Sequence, residues 1–131
     1  MTKKEGAGMS KKRILLVDDE TDLVEMVKFR LEANDYEVLT AGDGQAALEI
    51  ARKERPDLII LDVMLPKMDG YKVCSLLKKD TRYANIPIMM FTAKATETDL
   101  KLGSEVRADA YLTKPFEPKV LLEKIKELIK G

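Results

Sequence analysis

Four short apolar runs, each closed by a polar or charged residue, constrain this chain more than any other feature. Ile14-Leu15-Leu16-Val17 runs into Asp18-Asp19-Glu20, and Leu58-Ile59-Ile60-Leu61 runs into Asp62. Ile88-Met89-Met90-Phe91 runs into Thr92, and Ala110-Tyr111-Leu112-Thr113 runs into Lys114-Pro115. Runs this short and this continuously apolar read as strands buried on both faces, which is the habit of a parallel sheet covered by helices.

Between the runs the apolar period changes to that of a helix. Leu23, Val24, Val27 and Leu31 recur at helical spacing up to about Ala33, and Asn34-Asp35 makes a turn. A second strand is expected over 36–40. Asp43 is placed to cap a helix containing Ala46, Ala47, Leu48 and Ile50, which Pro56-Asp57 ends. A loop spans 66–70, and Val73, Leu76 and Leu77 mark a third helix. After a longer loop over 80–87 and the fourth strand, Thr96-Glu97-Thr98-Asp99 resembles a capping box with Asp in place of the usual Glu or Gln. It opens a fourth helix with a thin apolar face of Leu100, Leu102 and Val106. Glu117-Pro118 opens the last helix, striped by Val120, Leu121, Ile125, Leu128 and Ile129. Five β–α units of this kind make one α/β domain over 13–131. The polar, glycine-containing stretch 1–12 is expected to be a flexible tail.

Composition removes several classes of function. Lys plus Arg and Asp plus Glu both number 23, so the chain lacks the basic excess of a generic nucleic-acid or membrane-surface binder. Histidine is absent, which excludes histidine general acid–base chemistry, histidine metal ligands and phosphohistidine formation within the chain. The single Cys74 forms no internal disulfide, as suits a reducing cytosol, and its place in a helical pattern gives it a packing role. No apolar stretch approaches the ~20 residues of a membrane span, and the lysine-bearing start has no apolar core of a signal peptide. A cytoplasmic location is expected.

In an open parallel sheet, ligands bind outside the carboxyl ends of the strands. If the four strands lie side by side, three carboxylates, a hydroxyl and an ammonium meet there. Clustered carboxylates repel one another, and a hard divalent cation such as Mg²⁺ relieves the repulsion. Asp62, at the end of a fully apolar strand, is placed to attack phosphorus as the carboxylates of aspartyl-phosphate enzymes do. Lys114 supplies a point charge for the phosphoryl group or for Asp62, and Thr92 a hydrogen-bond donor. Taken singly, each has an ordinary explanation: Asp18-Asp19-Glu20 caps a helix, Asp62 is a solvated strand end, Lys114 a surface lysine. Their joint arrangement is what argues for a site. A cis Lys114-Pro115 bond would aim the lysine, but the sequence does not decide it.

Two other phosphate chemistries fit less well. Gly42-Asp43-Gly44-Gln45-Ala46-Ala47 matches the dinucleotide pattern G-x-G-x-x-A, with Asp62 about twenty residues on. That reading leaves Asp18, Asp19 and Lys114 unexplained, and Asp43-Gly44 serves equally as a turn and helix cap. A dehalogenase-like phosphatase needs a second acid two residues after its nucleophile, where this chain has Met64.

The residues 13–130 as a set resemble a response-regulator receiver domain of two-component signalling, of the chemotaxis-regulator-like kind. The resemblance is carried by the acidic pair after Val17, by Asp62 followed by Val63-Met64-Leu65-Pro66 and Met68-Asp69-Gly70, by Thr92-Ala93, and by Lys114-Pro115-Phe116. It implies a doubly wound, flavodoxin-like sheet of five parallel strands in the order 2-1-3-4-5, with helices on both faces. It implies Asp62 as phosphoacceptor, with Thr92 and Lys114 on the phosphoryl group. Mg²⁺ would be held by Asp19, Asp62 and the Met64 carbonyl, with Asp18 acting mainly through water. The donor would be a phosphohistidine on a sensor histidine kinase or histidine phosphotransfer protein. The domain would catalyse only its own phosphorylation and dephosphorylation. Thr92 and Tyr111 would form the switch, remodelling the face of the fourth helix, fifth strand and fifth helix toward a downstream partner or an output domain. Phosphorylation-dependent homodimers on that face are a further expectation, with Arg107, Lys101, Asp109 and Glu127 as pairing charges. Met64 and Lys94 flank the site and would tune the phosphate's lifetime. No direct contact with nucleic acid or membrane is expected. Two departures touch the output face: Arg107 stands where the family usually has glycine, so strain or a different helix end is expected there, and Ala110 replaces a frequent acidic residue.

Overall fold

The computed structural model describes residues 11–93, 101–102 and 104–129. The elements alternate as the apolar pattern predicts: β1 (Arg13–Val17), α1 (Thr21–Ala33), β2 (Glu37–Ala41), α2 (Gly44–Glu54), β3 (Leu58–Asp62), α3 (Gly70–Lys79), β4 (Ile88–Thr92), β5 (Ala110–Thr113) and a C-terminal helix (Pro118–Leu128). Residues 101–102 and 104–105 are helical. The expected capping box over 96–99, the neighbouring Lys94 and Leu100, and residues 1–10 of the expected tail lie outside the described residues.

The strands form one parallel sheet in the order β2-β1-β3-β4-β5. β3 and β4 are buried at every residue, whereas the edge strands β2 and β5 are partly exposed. Because strand side chains alternate between faces, each apolar run supplies two cores. Leu15, Val17, Ile59, Leu61 and Met90 pack with Ala47, Leu48 and Ala51 of α2 and Val73, Cys74 and Leu77 of α3. Ile14, Leu16, Leu58, Ile60, Met89 and Phe91 pack with Val27 and Leu31 of α1 and Leu121 and Ile125 of the C-terminal helix. Cys74 is buried, donates to the Val106 carbonyl at 3.4 Å, and burial pushes its thiol up to about 12. Its packing role holds.

The boundaries move by one residue in instructive places. β2 covers 37–41 rather than 36–40, because the Tyr36 N–H donates to the Leu31 carbonyl and so closes the end of α1. Lys12, assigned to the tail, already accepts a bond from the Glu37 N–H at 2.9 Å, so order at this edge begins before Arg13. β3 and β4 each run one residue further than their apolar stretches, which makes Asp62 and Thr92 the last residues of the strands rather than the first of the loops. Arg107 has φ 66°, the left-handed conformation expected from a residue standing in a glycine's place, and its N–H closes the turn onto the Ser104 carbonyl. The Lys114-Pro115 peptide is cis.

Candidate phosphoacceptor site

β1 lies between β2 and β3, and the chain leaves β1 for one face of the sheet and β2 for the other. A crevice therefore opens beyond the carboxyl ends of β1 and β3, the usual ligand position of this topology. Asp18, Asp19 and Asp62 meet there, with one carboxylate oxygen of each within 4.8 Å of the others. Asp18 and Asp62 are buried and Asp19 is exposed. Clefts of about 380 Å³ flank the cluster on two sides. One is lined by Asp18, Asp19, Glu25, Thr40 and Gly42, and the other by Glu20, Leu23, Met26, Ala93, Lys114 and Phe116.

The reading in which these acids merely cap α1 does not hold. The N-cap residue is Glu20, and its side chain makes no capping hydrogen bond. The Asp18 carboxylate instead accepts from the Glu20 N–H at 2.9 Å and from Lys114 Nζ at 2.7 Å.

Lys114 is brought in by the sheet. Its N–H donates to the Thr92 carbonyl at 2.7 Å, so β5 and β4 remain tied together one residue past the β5 ladder. Its ammonium lies 2.7 Å from Asp18, 3.2 Å from Glu20 and 3.7 Å from Asp62, and 5.0 Å from the centre of the Phe91 ring. Phe91 in turn stacks at a tilt on Phe116, centroids 4.9 Å apart. These contacts give Glu20 and the two rings a part in holding the lysine. Sequence reasoning assigned them none, because an exposed Glu and two core-like aromatics look the same anywhere.

The electrostatics follow from burial and crowding. Asp62 is pushed up to about 6, chiefly by burial, then by the charge of Asp18 and to a lesser degree Asp19. Lys114 and the Met64 N–H, which donates to Asp62 at 3.3 Å, pull the other way without prevailing. Burial alone would lower Lys114. Its bond to Asp18 and the charges of Asp62 and Asp18 outweigh that and hold it above its ordinary value. Among the described residues, the three carboxylates thus crowd one near ammonium, that of Lys114, and repel one another, while their hard oxygens converge at the edge of solvent. That donor set fits a divalent cation of the Mg²⁺ type, which takes oxygen ligands and keeps waters.

Thr92 is buried at the end of β4 and aligned with Thr113 of β5. Tyr111 is half-buried in β5, and its hydroxyl lies 3.2 Å from that of Tyr71 in the first turn of α3. Met64 is 77% exposed just past the end of β3. Of the charges expected to pair between two copies, Asp109 is already engaged within the chain, by Lys78 Nζ and the Ile88 N–H, each at 2.8 Å.

A doubly wound parallel sheet with an acid triad and a lysine at its switch point defines a class of acid-pocket α/β domains. The profile of the response regulator receiver domain matches residues 14–126, and the chain belongs to that family, the receiver domains of two-component systems. It is 47% identical over 119 residues to the alkaline phosphatase synthesis transcriptional regulatory protein PhoP of Bacillus subtilis, covering 91% of this chain and 49% of that protein. Among solved structures, it is similar to the chemotaxis protein CheY4 of Vibrio cholerae, with TM-score 0.85 and 36% identity over 90% of this chain and 98% of that one. It is also similar to the Mn²⁺-bound form of the response regulator Rcp1, with TM-score 0.76 and 31% identity over 89% of this chain and 91% of that one. The fold and strand order implied by the sequence resemblance are those observed. The chain spans about half the length of the curated relatives it matches. Among the described residues, no helix is long and apolar enough to cross a membrane.

Proposed function

We propose that Asp62 accepts a phosphoryl group from a phosphohistidine on a sensor histidine kinase or histidine phosphotransfer protein, in a domain spanning 13–131 behind a tail of 1–12. The observation that carries this reading is the convergence of Asp18, Asp19 and Asp62 within 4.8 Å, with Lys114 reaching Asp18 at 2.7 Å and Asp62 at 3.7 Å. A carboxylate oxygen of Asp62 attacks phosphorus, the P–N bond breaks, and its electron pair returns to the imidazole. The resulting mixed anhydride is later cleaved by water, releasing phosphate. Asp19, Asp62 and the Met64 carbonyl would hold Mg²⁺, with Asp18 acting mainly through water. When bound, Mg²⁺ offsets the charge on the phosphoryl oxygens. The Mn²⁺ named for Rcp1 supports a divalent cation here. Lys114 and Thr92 then hold the transferred group, and the domain acts on no other substrate.

The pull of a new dianion on Thr92 biases Tyr111, and through it the face formed by β5, the C-terminal helix and the helical residues before β5. That face would meet a downstream partner, an output domain, or a second copy of the chain. PhoP is by name a transcriptional regulatory protein, and this chain matches about half of it. The expectation of no nucleic-acid contact therefore has no support for a longer protein of that kind, whose output on DNA would lie outside the matched half. A cytoplasmic setting follows from a cytosolic phosphohistidine donor. The test is intact mass after incubation with acetyl phosphate, with and without Mg²⁺. One added phosphoryl group that needs Mg²⁺ and is lost in Asp62→Asn is expected. No gain in the wild type with Mg²⁺ overturns the reading.

A further inference from the structure

The motif Gly42-Asp43-Gly44 is left unused by the phosphoacceptor reading, and its two glycines behave differently. A Cβ on Gly42 would meet nothing within 4 Å. A Cβ on Gly44 would stand 2.0 Å from the carbonyl oxygen of Met68 and 2.8 Å from its carbonyl carbon. Those are backbone atoms, which cannot swing aside as the end of a side chain can. Gly44 opens α2 in ordinary helical conformation, so the position requires the lack of a side chain rather than freedom of φ.

What presses on Gly44 is the loop 63–69 that leaves the acceptor strand. The Gly44 N–H donates to the Pro66 carbonyl at 3.3 Å, and the Met68 N–H donates to the same oxygen at 2.7 Å. Lys67 Nζ lies 3.8 Å from Asp43, whose other oxygen caps α2 through the Ala46 N–H. At its far end the loop is closed by the Gly70 N–H, which donates to the Val63 carbonyl at 2.9 Å. A Cβ on Gly70 would stand 2.2 Å from the Asp62 carbonyl oxygen. The loop is therefore gripped between the start of α2 and the last peptide of β3, with Met64 inside the grip.

We infer that Gly44 is a positioning residue for the phosphoacceptor loop: its bare Cα lets α2 seat the 66–68 backbone, and that seat fixes the Met64 carbonyl relative to the Asp62 carboxylate. The inference rests on the proposed Mg²⁺ site. Any side chain at 44 lifts the loop and moves the Met64 carbonyl away from Asp62, while β3 stays in the sheet.

The test is calorimetric titration of Mg²⁺ into the wild type, Gly44→Ala and Leu48→Ala. Leu48 is buried on the core side of the same helix, so its truncation destabilises α2 without crowding the loop. Gly44→Ala is expected to bind Mg²⁺ about 10- to 100-fold more weakly, the usual effect of disturbing the groups that orient metal ligands, while Leu48→Ala binds like the wild type. Wild-type affinity in Gly44→Ala, or an equal loss in Leu48→Ala, overturns the inference. If Gly44→Ala does not fold, hydrogen exchange on the wild type decides. Mg²⁺ should slow exchange of the Gly44 and Met68 amides, and unchanged rates overturn the inference. A wild type that binds no Mg²⁺ at all would instead defeat the proposed site, and the inference with it.

Discussion

Two lysine–aspartate pairs among the described residues, each with one buried partner, are built to opposite ends. Lys78, in α3, is 7% exposed and places its ammonium 2.8 Å from Asp109, 3.1 Å from the Ala84 carbonyl and 2.9 Å from the Ile86 carbonyl. An ammonium has three N–H donors, and all three are used. The oxygen of Asp109 that takes the lysine also takes the Ile88 N–H. This pair is closed, and it pins α3, the 80–87 loop and the start of β5 together. Lys114 bonds to Asp18 and more loosely to exposed Glu20, and stands 3.7 Å from Asp62. The surplus negative charge there is left for something that arrives from solvent. With the same residue types, the closed pair gives fixed geometry and the open one leaves negative charge uncompensated.

The closed pair should break most expensively. Lys78→Met leaves two carbonyls and one carboxylate without their donor, and urea denaturation should show a loss of about 2–4 kcal/mol, discounted because Asp109 is partly exposed. Mg²⁺ affinity should be untouched, since Lys78 lies outside the acid cluster. If Lys78→Met weakens Mg²⁺ binding, the two pairs are not independent.

At the open pair the sign reverses. A folded-state Asp62 raised from about 3.8 to about 6 binds its proton more tightly than the unfolded chain does. The stability that proton gives is present below about 3.8 and is lost as pH rises through about 6. Without Mg²⁺, the wild type should therefore lose about 1–3 kcal/mol of stability across that interval, relative to a variant without the group. Asp62→Asn should be more stable than the wild type at pH 7.5 and should lack that component of the pH slope. Thermal melts at a series of pH values, with and without Mg²⁺, measure both. A variant less stable than the wild type at pH 7.5 would mean that Lys114 already balances the cluster.

The baseline for both is an exposed pair. Lys28 and Glu32, one turn apart on α1, approach to 3.6 Å in solvent, and Lys28→Ala should cost no more than about 0.5 kcal/mol. A larger loss by the same denaturation would show that surface pairs in this chain carry more than the comparison allows.

The sequence disclosed the open pair and hid the closed one. A carboxylate or an ammonium that abruptly ends an apolar strand run announces a strand end, and the sheet topology brings such ends together. Lys78 gives no such notice. It sits in a helical segment beside Lys79, where lysine normally faces water, and its partners come from positions 84, 86 and 109. Arg107 was legible as a departure, since a side chain in a glycine's place predicted strain and φ is indeed positive. The start of β2 was not, because Tyr36 suits a strand as well as Glu37 does, and only its bond to Leu31 assigns it to the turn. Gly44 read as a cap or a nucleotide fingerprint because its real neighbour, Met68, is 24 positions away and meets it chiefly through its carbonyl group.

Asp62 and Thr92 are still members of the ladder, aligned with Phe91 and Thr113. Their α-carbons are thus tied into the same strand pairing as those of the core, anchored like type set in a frame. Whatever chemistry happens at this edge has only torsions to work with: a side chain turning about χ1, or a loop pivoting past its last ladder bond. In the proposed function, information leaving such a site is written in rotamers, and the sheet serves as the fixed page.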